Sequence, residues 1–250
     1  MLPSSCFDFD VDSEDDDSIA NLLYEAQEIA ADQPRQAVDI CQRIVDERKD
    51  PWTMRSLFLM TCLLLQAGQR DEGLNRYEDM LRLLHTVSHN ERLNRVNHIL
   101  GQSLHQNDPS LTIRMFELTI HAATSLNSPK IGFMTSMKLA RLYASQGNYE
   151  AVSVIVKRLR PFYQENDASK ASELFDLLSI EMLVSRVPQD AFRIHSLFAK
   201  AIQLAKTAIV DPRVLGFIYE RHGMLSIFEN NLDSAFNDFY SNDFRSFTAH

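Results

Sequence analysis

An apolar anchor residue recurs in this sequence about every forty residues. Each anchor lies one helical turn after a small or weakly polar residue, and the set is Cys41, Tyr77, Phe116, Val156, Phe198 and Phe239. By subtraction of residue numbers, the successive spacings are 36, 39, 40, 42 and 41 residues. A period in this range is typical of helical-repeat solenoids, in which each repeat packs only on its neighbours. The pattern predicts a scaffold with long surfaces for other macromolecules and argues against an enzyme.

Helical periodicity runs through nearly the whole sequence. Apolar residues follow the i, i+3, i+4, i+7 rhythm of amphipathic helices, and the 7 glycines include no hairpin dipeptide. We therefore expect an all-α fold, a right-handed superhelical solenoid of about six antiparallel helix pairs of the tetratricopeptide type. The predicted pairs are 19–31 and 34–48, 51–66 and 70–86, 90–106 and 109–125, 129–145 and 149–160, 170–186 and 189–208, and 212–229 and 232–247.

Local signals mark where these helices begin and turn. Four segments place a capping side chain before a proline that suits the first helical position: Asp50-Pro51, Asp108-Pro109, Ser128-Pro129 and Asp211-Pro212. Gly68 and Gly147 are predicted to form turns within pairs, and Gly73 to let two helix backbones approach closely. The aromatic residues on these faces are interpreted as inter-helix core rather than as a ligand groove.

The N-terminus carries a concentrated negative charge. The formal net charge is −9, and seven acidic residues lie together: Asp8, Asp10, Asp12, Glu14, Asp15, Asp16 and Asp17. We expect residues 1–18 to be a disordered acidic tail, which either aids solubility or contacts a basic partner, and residues 19–250 to be the repeat region. The remainder is close to −2, so no nucleic-acid footprint is indicated.

The cysteines and the apolar segments indicate the compartment. Cys6, Cys41 and Cys62 form no C-x-x-C or disulfide-like pattern and suit a reducing compartment. No secretory signal precedes the helices, and the longest apolar stretch, 57–65, is about half a membrane span. We expect a soluble intracellular protein without a membrane partner.

No catalytic constellation stands out. The sequence lacks a glycine-rich phosphate loop, a zinc-protease motif, a serine-hydrolase elbow and a kinase signature. His85 and His89 are four residues apart, but they straddle a predicted helix end and lack further ligands at fitting intervals. We therefore expect no enzyme activity, no cofactor and no metal.

Two blocks of the sequence resemble a known family. The first runs Asn75-Arg76-Tyr77-Glu78-Asp79-Met80-Leu81, followed by Ser88, Arg92 and Asn97-His98-Ile99-Leu100; the second covers Pro212 to Tyr240. Together they resemble the helical-repeat part of the second subunit of the COP-nine signalosome, a family that also begins with an acidic tail. The resemblance covers about residues 20–250. A sister subunit of the proteasome lid shares the closing repeat and is the alternative.

The resemblance implies a function and a set of partners. A member of that family is a non-catalytic scaffold, found in cytoplasm and nucleus, within the complex that removes the ubiquitin-like modifier Nedd8 from cullins. Its helical arm contacts other signalosome subunits and cullin–RING ligases, and its basic residues bind inositol polyphosphate. The matching candidate contacts here are Arg55, Arg76, Arg92 and Arg95. Positions that the family often fills with lysine hold Phe58, Cys62 and Gln66, which weakens the inference of inositol polyphosphate binding.

This sequence departs from the resembled family in one respect, and a third hypothesis remains open. The family continues into a winged-helix PCI domain, whereas this sequence ends at His250 without such strands. A fragment and a divergent member are both compatible with that end. An unrelated tetratricopeptide-like adaptor, receiving a peptide in its concave groove, is the remaining alternative.

Overall fold

Twelve α-helices account for most of the described chain. The computed structural model describes residues 14–104, 108–163 and 167–247, and contains no strand within those ranges. The helices are α1 (Glu14–Ile29), α2 (Pro34–Glu47), α3 (Trp52–Gln66), α4 (Arg70–Arg82), α5 (His89–Leu104), α6 (Pro109–Ser125), α7 (Pro129–Ser145), α8 (Tyr149–Leu159), α9 (Ala171–Val184), α10 (Ala191–Ala205), α11 (Pro212–Phe228) and α12 (Leu232–Phe247). Short 3₁₀ turns lie at Leu84–Thr86, Arg160–Phe162 and Ala168–Lys170.

The helices pack on their sequence neighbours and on the next helix but one. The chain divides into two compact units, Met1–Thr135 and Ser136–His250, with the boundary inside α7. In the first unit α3 contacts α1, α2, α4 and α5; in the second, α11 contacts α9, α10 and α12. This packing confirms the all-α, solenoid-type fold. The number of helix pairs and the predicted single repeat region stay predictions.

All six anchor residues lie on the second helix of a predicted pair. Tyr77 and Phe116 are fully buried, as is Cys41, and Val156 is nearly so; Phe198 and Phe239 are half-buried. The hydroxyl of Tyr77 is hydrogen-bonded to Thr119 on α6, so the anchor also ties two successive second helices together. The forty-residue period therefore marks a repeated core position, as the sequence predicts.

The turns between helices repeat one hydrogen-bonding scheme. Gly68 and Gly147 have φ of +75° and +73°, and Asn127 and Asn230 have +48° and +59°. At each, the amide of the following residue donates to a carbonyl five residues before it, at 2.8–2.9 Å. This is the Schellman ending, which needs a left-handed residue that glycine and asparagine supply at low cost. The predicted turns at Gly68 and Gly147 are confirmed.

Close backbone approach explains a third glycine. A Cβ on Gly73 of α4 would lie 2.9 Å from Cδ2 of Leu65 on α3. The small residue thus lets α4 lie directly against α3, as predicted. Helix α3 is buried on all sides, with only Gln66 exposed, which agrees with its nearly continuous apolar sequence.

Two of the four predicted proline-linked caps are confirmed. Asp108 accepts a hydrogen bond from the amide of Leu111, and Asp211 accepts one from the amide of Arg213. Asp50 is not a cap, because α3 begins one residue later than expected and Pro51 occupies the capping position. The Ser128 hydroxyl is buried and has no hydrogen-bond partner, so that predicted cap is also wrong.

Helix boundaries agree with the sequence to within a few residues, apart from the first. Helix α1 begins at Glu14, five residues before the predicted start. Acidic residues are favoured in the first turn of a helix, where unpaired N–H groups carry partial positive charge. Residues 14–18, predicted to be disordered, are therefore helical, while residues 1–13, with Cys6, lie outside the described residues. In the described parts, no helix is long and apolar enough to cross a bilayer.

Candidate binding surface

The four arginines expected to contact a partner all lie in the first unit. Arg55 is on α3, Arg76 is on α4, and Arg92 and Arg95 are on α5. Helices α3 and α5 pack together, which brings Arg55 close to Arg95. The exposure of these side chains separates them into two groups, because only Arg76 and Arg92 keep substantial contact with solvent.

Arg55, Glu91 and Arg95 form an arginine–glutamate cluster between α3 and α5. Arg55 donates from Nε to Oε1 of Glu91 at 3.0 Å and from Nη2 to Oε2 at 3.2 Å. Arg95 donates from Nε to Oε1 at 2.8 Å, with its Nη2 at 2.7 Å. The side chains are 10%, 20% and 3% exposed for Arg55, Glu91 and Arg95. One carboxylate thus pairs with two largely buried guanidinium groups and balances one of their two positive charges.

Aromatic rings cover the remaining faces of the two guanidinium groups. The guanidinium carbon of Arg55 lies 4.8 Å from the ring centre of Trp52, and that of Arg95 lies 4.6 Å from the ring centre of Phe58. His98 packs against the same Phe58 ring, with 5.6 Å between centroids. A buried cation gains from the negative face of such rings. The arrangement therefore holds α3 and α5 together rather than presenting the arginines to solvent.

The cluster shifts the ionisation of the groups around it. Burial by itself would raise the pKa of Glu91, but the hydrogen bonds and charges of Arg55 and Arg95 outweigh it, and the pKa is lowered. The pKa of His98 is also lowered, first by burial and then by the charge of Arg95. Both shifts favour one state: an ionised carboxylate between two arginines, beside a neutral imidazole.

Arg92 has a local role at the start of α5. It donates from Nε to the carbonyl of Val87 at 2.8 Å and from Nη2 to the carbonyl of His85 at 3.1 Å. These bonds satisfy one carbonyl in the 3₁₀ turn that precedes the helix and one directly after that turn. Arg76 is half-exposed on α4. Of the four predicted contact residues, Arg76 and Arg92 are therefore the ones that a partner can reach.

The structure changes the interpretation of Arg55 and Arg95. The resemblance implies that both contact a partner, whereas in the structure both guanidinium groups are paired with Glu91 inside the protein. The residue that sequence reasoning missed is Glu91. Its spacing of four from Arg95 is a recognisable helical ion-pair signal. Its spacing of 36 from Arg55 carries no local signal, since that contact exists only through helix packing.

The structure also places the other positions considered from the sequence. Phe58 and Cys62, at positions that the resembled family often fills with lysine, are fully buried, so neither lies on the surface. His85 forms a hydrogen bond between Nδ1 and the carbonyl of Arg82 at 3.0 Å. Within the described ranges no three His, Cys, Asp or Glu residues are grouped as metal ligands.

Comparisons with known proteins identify relatives that match most of the chain. COP9 signalosome complex subunit 2 of Drosophila melanogaster is 24% identical over 92% of this chain and 54% of its own length. The protein of that name from Emericella nidulans is 24% identical over 96% and 50%, and the one from Dictyostelium discoideum is 24% identical over 89% and 51%. The chain therefore spans about half the length of the curated relatives it matches. No family profile matches it.

A solved structure shares the fold. BtubC (BKLC) from P. vanneervenii has a TM-score of 0.57 at 10% identity, over 96% of this chain and 94% of that one. At this identity the likeness shows the fold alone. The three relatives confirm the resemblance found in the sequence: over about nine tenths of its length, the chain is similar to about half of COP9 signalosome complex subunit 2, a signalosome protein of animals, fungi and amoebae.

Proposed function

We propose that this protein is a non-catalytic scaffold subunit of a COP9 signalosome-like complex. The observation that carries the proposal is its similarity to COP9 signalosome complex subunit 2 over 89–96% of the chain in three distant organisms. The all-α repeat fold supports it, because stacked helix pairs offer extended surfaces for protein partners. The partners are other signalosome subunits, and the site of action is the cytoplasm and nucleus.

The finer proposal concerns cullin–RING ligases. The helical arm binds them for removal of Nedd8, and Arg76 and Arg92 supply the reachable positive charge. Arg55 and Arg95 contribute indirectly, by fixing α3 against α5 through Glu91. Inositol polyphosphate is a weaker candidate partner, since Phe58 and Cys62 replace basic residues and are buried.

A pull-down with the full chain as bait tests the coarser proposal. The captured proteins are probed for signalosome subunits, cullin–RING ligases and proteasome-lid subunits. Recovery of signalosome subunits supports the proposal. Recovery of lid subunits alone moves the protein to the proteasome lid, and recovery of none of the three leaves the unrelated adaptor hypothesis.

Charge reversal tests the cullin surface. We expect Arg76→Glu to reduce cullin recovery, because it reverses a half-exposed charge on α4. Arg43→Glu is the matched control, since Arg43 is exposed on α2 in the same unit and lies outside the proposed surface. Equal recovery with both variants would show that Arg76 is not part of the contact. Circular dichroism verifies that both variants remain folded.

A further inference from the structure

Four titratable side chains from three helices lie in one hydrogen-bonded line in the second unit. Glu229, which ends α11, contacts Nε2 of His195 on α10 at 3.0 and 3.1 Å. Nδ1 of His195 lies 2.9 Å from Nε2 of His222 on α11. Nδ1 of His222 lies 2.7 Å from Oδ2 of Asp238 on α12. We call these four residues the histidine line.

The histidine line runs from solvent into the protein. The side chains of Glu229 and His195 are 37% and 42% exposed, whereas those of His222 and Asp238 are 10% and 9% exposed. Phe198 stacks on the His222 ring at 3.8 Å between centroids and 9° between planes. The stacking holds the ring plane, so Nδ1 and Nε2 of His222 stay directed at Asp238 and His195.

The three contacts together require a definite number of protons. Each ring nitrogen that faces an ionised carboxylate must carry a hydrogen to donate. The two nitrogens between His195 and His222 must share one hydrogen, because one has to donate and the other accept. The four ring nitrogens therefore carry three protons, which is one more than two neutral imidazoles hold. All three hydrogen bonds of the line can form when one histidine is charged and the other is neutral.

Two charged residues on the helices around the line, Glu181 and Arg221, have other partners. Helix α9 packs on α10 and α11, and its Glu181 is ion-paired with Arg160 and Arg193, each at 3.5 Å. Arg221, next to His222, donates to two main-chain carbonyls at the end of α9, at 2.8 and 3.4 Å. The carboxylates hydrogen-bonded to the two rings are those of Glu229 and Asp238.

We propose that the histidine line is a pH-sensitive latch that joins α10, α11 and α12 by holding one extra proton. Losing that proton leaves one of the three contacts without a hydrogen. Gaining another places two N–H groups against each other between His195 and His222. The three helices are therefore held most firmly in a window of pH, and loosen on both sides of it.

The sign of the pH dependence follows from proton counting. Two free histidines hold about 0.2 proton at pH 7.5 and about 1.8 at pH 5.5. A folded line holding one proton therefore takes up about 0.8 proton on folding at pH 7.5 and releases about 0.8 at pH 5.5. The contribution to the folding constant falls about sixfold per pH unit above neutrality and about sixfold per unit toward acid, with its maximum near pH 6.5.

Glu229→Gln tests the latch while keeping all three hydrogen bonds of the line. A glutamine amide can donate to Nε2 of His195, so all three contacts are satisfied with both rings neutral. We expect the contribution of the histidine line at pH 7.5 to change from an uptake of about 0.8 proton on folding to a release of about 0.2, a difference of about one proton between the two proteins, measured from the pH dependence of denaturant unfolding. Glu220→Gln is the matched control, an exposed residue of the same helix outside the line, and should leave the uptake unchanged.

Ring nitrogen NMR supplies a second readout that does not depend on stability. At pH 7.5 we expect three ring protons across His195 and His222 in the unchanged protein, and two in Glu229→Gln. Two neutral rings in the unchanged protein would overturn the proposal. So would a proton uptake that Glu229→Gln leaves as it was.

Discussion

Loss of the Glu91 carboxylate should weaken the first unit, because two largely buried arginines pair with it. Glu91→Gln keeps the size of the side chain but removes the carboxylate charge that the guanidinium groups of Arg55 and Arg95 share. Those side chains are 10% and 3% exposed, so water cannot replace the carboxylate. Removing one partner from a buried ion pair costs about 3–5 kcal/mol. Since Glu91 itself is 20% exposed and aromatic rings partly compensate the arginines, we expect a loss of about 3 kcal/mol.

Equilibrium unfolding in urea at pH 7 measures this loss. The matched control is Glu78→Gln, which removes the exposed ion pair between Glu78 and Arg82 on α4. Their side chains are 43% and 67% exposed, and a pair of this kind contributes about 0.3–0.5 kcal/mol. If the two variants lose the same free energy of unfolding, the arginine–glutamate cluster does not stabilise the fold as argued.

The acid side of the stability profile gives an independent check on Glu91. Its pKa in the folded protein lies below the ordinary value of 4.5. Its contribution is therefore fully present above that value and is lost as pH falls through the lower, folded pKa. We expect Glu91→Gln to remove this part of the acid dependence. An unchanged acid limb would contradict the lowered pKa.

Two further pairs of substitutions test the helix contacts and caps by denaturant unfolding. Gly101→Ala should stabilise α5 by about 0.8 kcal/mol, since a Cβ there meets nothing within 4 Å. Gly73→Ala should not give this gain, because its Cβ would lie 2.9 Å from Leu65. Equal effects of the two substitutions on the free energy of unfolding would refute the close approach of α4 to α3. Asp108→Ala should cost at least about 1 kcal/mol, because it removes both the cap on α6 and an ion pair with Arg70 on α4 at 2.8 Å. Ser128→Ala should cost nothing, because its buried hydroxyl has no hydrogen bond; a larger loss at Ser128 would show a partner for that hydroxyl.

The repeat architecture could be predicted because its signals are local. The helical rhythm, the left-handed residues Gly68 and Gly147, and the caps at Asp108 and Asp211 each act within a few residues. Ser128 and Asp50 show the limit of such signals. Both are residue types that commonly cap helices, but the backbone conformation decides whether the side chain can reach an amide in the first turn of the helix.

Tertiary packing decides which charged side chains are exposed and which are paired inside the protein. By itself the sequence determined the succession of helices, the recurring core anchors and the resemblance to COP9 signalosome complex subunit 2. Only the folded structure decided that Arg55 meets Glu91 and that His195 meets His222. These partners are 36 and 27 residues apart, and no local rule pairs them. A charged side chain stays exposed or forms an internal ion pair according to which helix covers it. The packing of one repeat on the next determines which helix that is.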